Sequence, residues 1–180
     1  MSSPSPEGQA TGRQSEDVCD VLVDCHERLR QVTALAAQLE ASGTATAEAV
    51  LEVANKLHRY FTVSFALHEQ DEEGSLFPRL LAQAPDVAPT LAALRAQHAS
   101  QAHRVEALVD LCQQARQQPE AAASMARALA EAARAVREEC KGHLATEEQQ
   151  IFPAARRALS AEALGEIREE MRARRSLLPR

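Results

Sequence analysis

Apolar residues recur at spacings of three and four along four long stretches of this chain, separated by a handful of breakers. Val18, Leu22, Cys25, Leu29, Val32, Ala36 and Leu39 make the first stripe, and Val50, Ala54, Leu57, Phe61 and Phe65 the second. Leu91, Leu94, Val105, Leu108 and Cys112 make the third, and Met125, Leu129, Ala132, Val136, Cys140 and Ile151 the fourth. This is the helical period, and each stripe is a face that must be buried. Ser15, with Glu16 and Asp17 in the following turn, offers a cap for the first helix. Ala41-Ser42-Gly43-Thr44 ends that helix, Ala84-Pro85-Asp86 breaks the second, and Pro119 suits the start of the fourth. The expected helices cover residues 15–41, 46–81, 88–117 and 119–157, with a short, strongly charged fifth helix over 160–174 packed outside. Short connections make sequential helices antiparallel neighbours. The expected fold is therefore all-α, an up-down-up-down four-helix bundle with a short C-terminal helix.

Bulk composition excludes several classes. With 180 residues the chain suits one domain, and aromatics at 3% argue against a β-sandwich. A net charge of -6 without a basic block argues against nucleic acid as a partner. No apolar run approaches the roughly 18 to 20 residues of a membrane span. Residues 1–14 are rich in Ser, Pro, Gly and Gln and read as a disordered tail without the features of a signal peptide. The bundle is expected over 15–158, and a short helix and tail over 159–180. Cys19, Cys25, Cys112 and Cys140 show no Cys-x-x-Cys spacing and read as reduced, packed thiols of a cytoplasmic protein.

One string occurs twice. His68-x-x-x-Glu72-Glu73-x-x-Leu76-Phe77-Pro78 recurs as His143-x-x-x-Glu147-Glu148-x-x-Ile151-Phe152-Pro153. A four-residue step is about 40° of rotation and one turn of rise, so each His and Glu share a helix face. That face is the apolar stripe, where a glutamate is almost never buried unless paired or bound to metal. His26 and His98 lie on the first and third stripes. They sit roughly 15 Å from one end of the bundle, against about 21 Å for His68 and His143, within a boundary error of about 5 Å. All four imidazoles can share one layer. With Glu72 and Glu147 they exceed the needs of one ion and suit a pair, the carboxylates bridging and the imidazoles capping. Mixed His and carboxylate ligation favours iron or manganese, with zinc a weaker fit, and no cysteine pair suggests a thiolate site. Pro78 and Pro153 are expected to kink or stop their helices.

At these residues the chain resembles a hemerythrin-type domain, the HHE cation-binding family. Asp24-Cys25-His26-Glu27-Arg28-Leu29-Arg30 is similar to that family's first-helix segment, Leu94-Arg95-Ala96-Gln97-His98 to the third, and the two repeated strings to the second and fourth. The resemblance runs roughly from Val18 to Pro153. It implies a non-haem di-iron centre, oxo- or hydroxo-bridged and open to dioxygen or nitric oxide, with His26, His68, Glu72, His98, His143 and Glu147 as ligands. Manganese or zinc is the weaker alternative. It also implies a protein that binds or senses dioxygen, nitric oxide or iron. The alternative is a di-iron enzyme acting on peroxide or nitric oxide, or an iron donor in iron-sulfur cluster repair. Two departures point away from a simple oxygen carrier. Such carriers have His-x-x-x-His on the third helix, whereas here the residue four after His98 is Ala102, and His103 is turned about 140° away. They also use an Asp one residue beyond the position of Glu147. Glu69 joins the site in some relatives but has the poorer angle here. His58 lies too far from the layer, and Cys25 reads as a packed thiol. Ferritin-like iron oxidases use Glu-x-x-His, which is not placed twice on these stripes.

Overall fold

Asp17 opens the first helix. Its Oδ1 accepts the Cys19 N–H at 3.0 Å, and α1 runs over Val18–Ala41. The structure is a computed structural model that describes residues 17–41 and 45–178, so the expected cap Ser15 and the tail expected over 1–14 lie outside the described residues. Thr46 caps α2, accepting the Ala49 N–H at 3.2 Å, and α2 continues over residues 47–83. After the turn Pro85–Val87, α3 covers Ala88–Gln117. Pro119 starts a 3-10 segment, Pro119–Met125, in place of the expected α-helix, and α4 follows over 126–158. Ser160 caps α5, Ala161–Ser176. The fold is all-α, four long helices and a short C-terminal one. Cross-links between α1 and α4 run in opposite order along the two helices, from Asp17–Arg156 through Arg30–Glu148 to Glu40–Arg134, as antiparallel neighbours require. No helix among the described residues is long and apolar enough to cross a membrane.

Pro78 and Pro153 do not stop their helices. Each is preceded by a π-helical turn, Glu72–Leu76 in α2 and Glu147–Ile151 in α4. In a regular α-helix each proline ring would clash with the carbonyl four residues back. Here the turn is widened by one residue, and Phe77 and Phe152 donate to the carbonyls of Glu72 and Glu147. Such turns concentrate at functional sites. A third π turn, Tyr60–Phe65, lies earlier in α2.

The core is split in two. One apolar cluster contains Leu29, Leu57, Phe61, Phe65, Leu108, Leu129, Val136 and Leu144. The other contains Leu22, Leu76, Phe77, Leu80, Leu94, Ile151 and Phe152. On every long helix the break between the clusters falls at the same point, near His26, His68 to Glu72, His98, and His143 to Glu147. A polar layer is thus sealed above and below by hydrocarbon.

The fifth helix lies on the outside of α2, as expected, but through a buried charge. Ile167 and Met171 join the second apolar cluster. Arg174 and Arg175 clamp the fully buried Asp71 carboxylate at 2.8 and 2.7 Å. Ser75 accepts from Arg174 at 2.6 Å and donates to Glu170. Gly74 permits the close approach, because a Cβ there would lie 3.1 Å from the Arg174 Nη2.

Candidate metal centre

The six residues singled out by the stripes and the repeated string come together in the polar layer. His26, His68, Glu72 and Glu147 form one group, and Glu72, His98, His143 and Glu147 a second; within each group the potential ligand atoms lie within 4.8 Å of one another. All six side chains are buried. Both carboxylates belong to both groups. Glu147 places Oε2 3.2 Å from His26 Nε2 and Oε1 2.8 Å from His143 Nε2. Glu72 places Oε1 3.5 Å from His68 Nε2 and Oε2 3.6 Å from His98 Nε2. Each carboxylate therefore spans the two groups, one oxygen toward each.

These close approaches leave unmet demand. Both oxygens of Glu72, both of Glu147, His26 Nε2 and both nitrogens of His68 are buried without a hydrogen-bond partner. Orphaned buried carboxylate oxygens are costly unless something positive meets them. Lone pairs converging from four imidazoles and two carboxylates fit cations, and two overlapping groups with shared carboxylates are consistent with a binuclear metal site. Burial holds the His68 imidazole down at about 3, leaving it neutral and able to donate a lone pair at pH 7. Burial likewise lowers His98. The carboxylates split. Burial and then the neighbouring Glu147 push Glu72 well above the usual carboxylate range. Burial opposes ionisation of Glu147 too, but the imidazoles of His143 and His26 outweigh it and hold that carboxyl low.

The rest of the repeated string has a role that the spacing argument missed. The second glutamate of each copy orients the lone histidine of a neighbouring helix. Glu73 Oε1 lies 2.7 Å from His98 Nδ1, and Glu148 Oε1 lies 2.8 Å from His26 Nδ1. The phenylalanine of each copy stacks on that same histidine, Phe77 on His98 at 6.3 Å and Phe152 on His26 at 5.5 Å between ring centres. A carboxylate on Nδ1 keeps the proton there and turns Nε2 toward the centre. Arg30 donates to the same Glu148 oxygen at 2.7 Å. Gln97 Oε1 lies 3.0 Å from His143 Nδ1. The legible signal was the identity of the two strings beyond His and Glu, through Glu-Glu and Phe-Pro.

Other sequence candidates stay outside both groups. His103 is exposed. Glu69 is half-buried, its carboxyl raised to about 7 by burial and then by Glu73 and Glu147. His58 is half-buried, as its distance from the layer suggested. Cys25 packs against Tyr60, 3.4 Å from sulfur to phenol oxygen, and burial raises its pKa. All four thiols are free.

A protein-family model, described as the hemerythrin HHE cation binding domain, matches residues 17–116. That span holds His26, His68, Glu72 and His98; His143 and Glu147 lie beyond it and are tied to the layer by the geometry above. No curated protein matches the chain at a significant level.

Proposed function

The chain belongs to the hemerythrin HHE cation-binding domain family, and from that premise we propose that it is a non-haem di-iron protein that binds or senses dioxygen, nitric oxide or iron. The observation that carries the reading is the sharing between two buried groups of Glu72 and Glu147, whose four carboxylate oxygens find no hydrogen-bond partner. His26 and His68 would hold one ion, His98 and His143 the other, and the two carboxylates would span them. Such a pair would supply redox-active iron to a small molecule. Two imidazoles with shared carboxylates are a donor set that would leave non-haem iron open to a further ligand.

The chain's own residues do the rest. Glu73 and Glu148 fix the tautomers of His98 and His26. The two apolar clusters keep bulk water from the layer, which strengthens every charge interaction within it. The glutamate ligand on α4 and the missing second imidazole on α3 favour sensing or iron handling over simple oxygen carriage.

Metal analysis of the purified protein, with visible spectra in air and under nitric oxide, tests the reading. Two irons per chain with oxo-to-iron charge-transfer bands is the expected outcome. A colourless, metal-free protein after anaerobic loading with ferrous iron, and a His68→Ala variant indistinguishable from it, would overturn the proposal.

A further inference from the structure

Gln101 is a buried polar residue one turn of α3 from His98 that nothing above employs. It is 2% exposed, and its Oε1 has no hydrogen-bond partner. It follows His98 by three residues on α3, which puts the two side chains on one face with Cβ atoms about 5–6 Å apart. Contacts on either side fix its height. His98 Nε2 meets His143 Nε2 at 3.0 Å on one side, and Arg104 pairs with Glu139 on the other. Gln101 therefore faces the turn of α4 that carries His143, on the side of the layer where Phe65 and Leu144 begin the apolar cluster.

The repeat provides an internal control. The two strings relate α2 to α4, and the contacts they make relate α1 to α3: His26 corresponds to His98, Glu148 to Glu73 and Phe152 to Phe77. Three residues after His26 comes Leu29, 1% exposed and part of the apolar cluster. The fold thus accepts hydrocarbon at this place. A carboxamide with an orphaned oxygen costs stability where leucine would not, so its presence calls for a ligand.

We propose that Gln101 is the specificity-determining residue for the small molecule taken up at the centre, its Oε1 accepting a hydrogen bond from a ligand that carries an O–H, such as water or hydrogen peroxide. This rests on the di-iron reading. It gives the His98–His143 side of the centre a preference for protonated oxygen ligands over bare anions, which offer the carboxamide oxygen no proton.

The test uses the iron-loaded full chain, with hydrogen peroxide and azide as probes followed by visible spectra under rapid mixing. Gln101→Leu should keep its metal content, lose about tenfold in peroxide affinity, and bind azide within about twofold of the parent chain. Gln101→Glu keeps an acceptor and adds a charge, so it should restore peroxide binding and weaken azide. Unchanged peroxide affinity in Gln101→Leu overturns the proposal, as does an equal loss for both probes. Loss of iron from Gln101→Leu also overturns it, since the residue would then be a metal ligand or a packing group. If the parent chain takes up no iron, the di-iron reading fails first and this inference falls with it. If the parent loads and the Gln101 variants behave like it, only this inference fails.

Discussion

Glu148→Ala removes one of the two carboxylates that aim a histidine at the centre, and its cost can be worked from the contacts. Glu148 Oε1 accepts from His26 Nδ1 at 2.8 Å and from Arg30 at 2.7 Å. Burial opposes its ionisation, but Arg30 and His26 hold the carboxyl below its usual range, so it is charged at neutral pH. Without it, His26 can carry its proton on Nε2, where the metal must bind, and the ring loses its fixed angle. Removal of such an orienting partner typically costs 10- to 100-fold in metal affinity. Glu148 is 29% exposed and shares its charge with Arg30, while Glu73 is 42% exposed. The expectation is about 30-fold for Glu148→Ala and nearer tenfold for Glu73→Ala, or roughly 2 and 1.4 kcal/mol per chain. The Gln variants keep an acceptor and should recover most of the loss. The assay is competition for ferrous iron against a chelator of known affinity, with circular dichroism confirming an unchanged helical fold. Affinity within about twofold of the parent chain in both Ala variants would refute the orienting role assigned to the second glutamate of each string.

Asp71→Asn should lower stability by about 2 kcal/mol, less than a fully buried broken pair because Arg174 and Arg175 are 23% and 37% exposed and can rehydrate. Thermal melting should then fall by roughly 4–8 °C, and a shift below 1 °C would show that α5 does not depend on that pair. Metal uptake should release a proton at pH values between the ordinary carboxylate range and Glu72's raised value, because there Glu72 is held protonated in the metal-free fold by burial and Glu147 and must ionise to ligate. Calorimetry in buffers of different ionisation enthalpy reads that proton, and no buffer dependence would contradict it. In the metal-free chain, Glu72's stabilising contribution is present below about pH 4.5 and lost as pH rises through its raised value. His68, held at about 3, contributes above about pH 6.5 and loses that contribution as pH falls toward 3, so melting temperature should drop as pH falls from about 4.5 toward 3, where Glu72's contribution is already fully present. Loading should occur in two steps, the His98–His143 side first, since Glu73 and Gln97 anchor both of its Nδ1 atoms whereas His68 Nδ1 has no partner. Gln97→Leu should narrow the gap between the steps, and an unchanged gap would remove that explanation. His103→Ala should leave metal content and spectrum unaltered, and a loss of one ion would place His103 in the site after all.

Helix positions and the inward direction of six polar side chains were legible because both depend on local periodicity. The α3 bounds follow from Pro85 and Pro119, and the layer from the point where each stripe turns polar. Two features were not legible. Pro78 and Pro153 read as kinks or stops because regular α-helical sterics disfavour them, but a π turn lets both helices continue. The charges of α5 look like a solvated face, but Arg174 and Arg175 reach a buried Asp71 about a hundred positions away, and no local pattern encodes that pairing.

The repeated string encodes a symmetric scaffold, and the chain departs from that symmetry at a few positions that surround one layer. Each copy supplies a histidine and a glutamate to the layer, a second glutamate to a neighbouring histidine, a phenylalanine beneath it, and a π turn before its proline. A scaffold alone would be satisfied by equivalence of the halves. Yet Gln97 anchors His143 where the corresponding Cys25 leaves His68 free, and Gln101 stands where Leu29 stands on the other side. The helix α5 also covers only one copy: Asp71 and Ser75 beside the first string meet its arginines, and the second string has no such cover among the described residues. The two His/Glu groups built by one repeated string therefore differ in imidazole orientation, in the polarity above them and in what lies outside them. Of these departures Gln101 is the one that costs burial energy without adding a packed hydrocarbon, since its Oε1 has no partner where Leu29 packs on the other side.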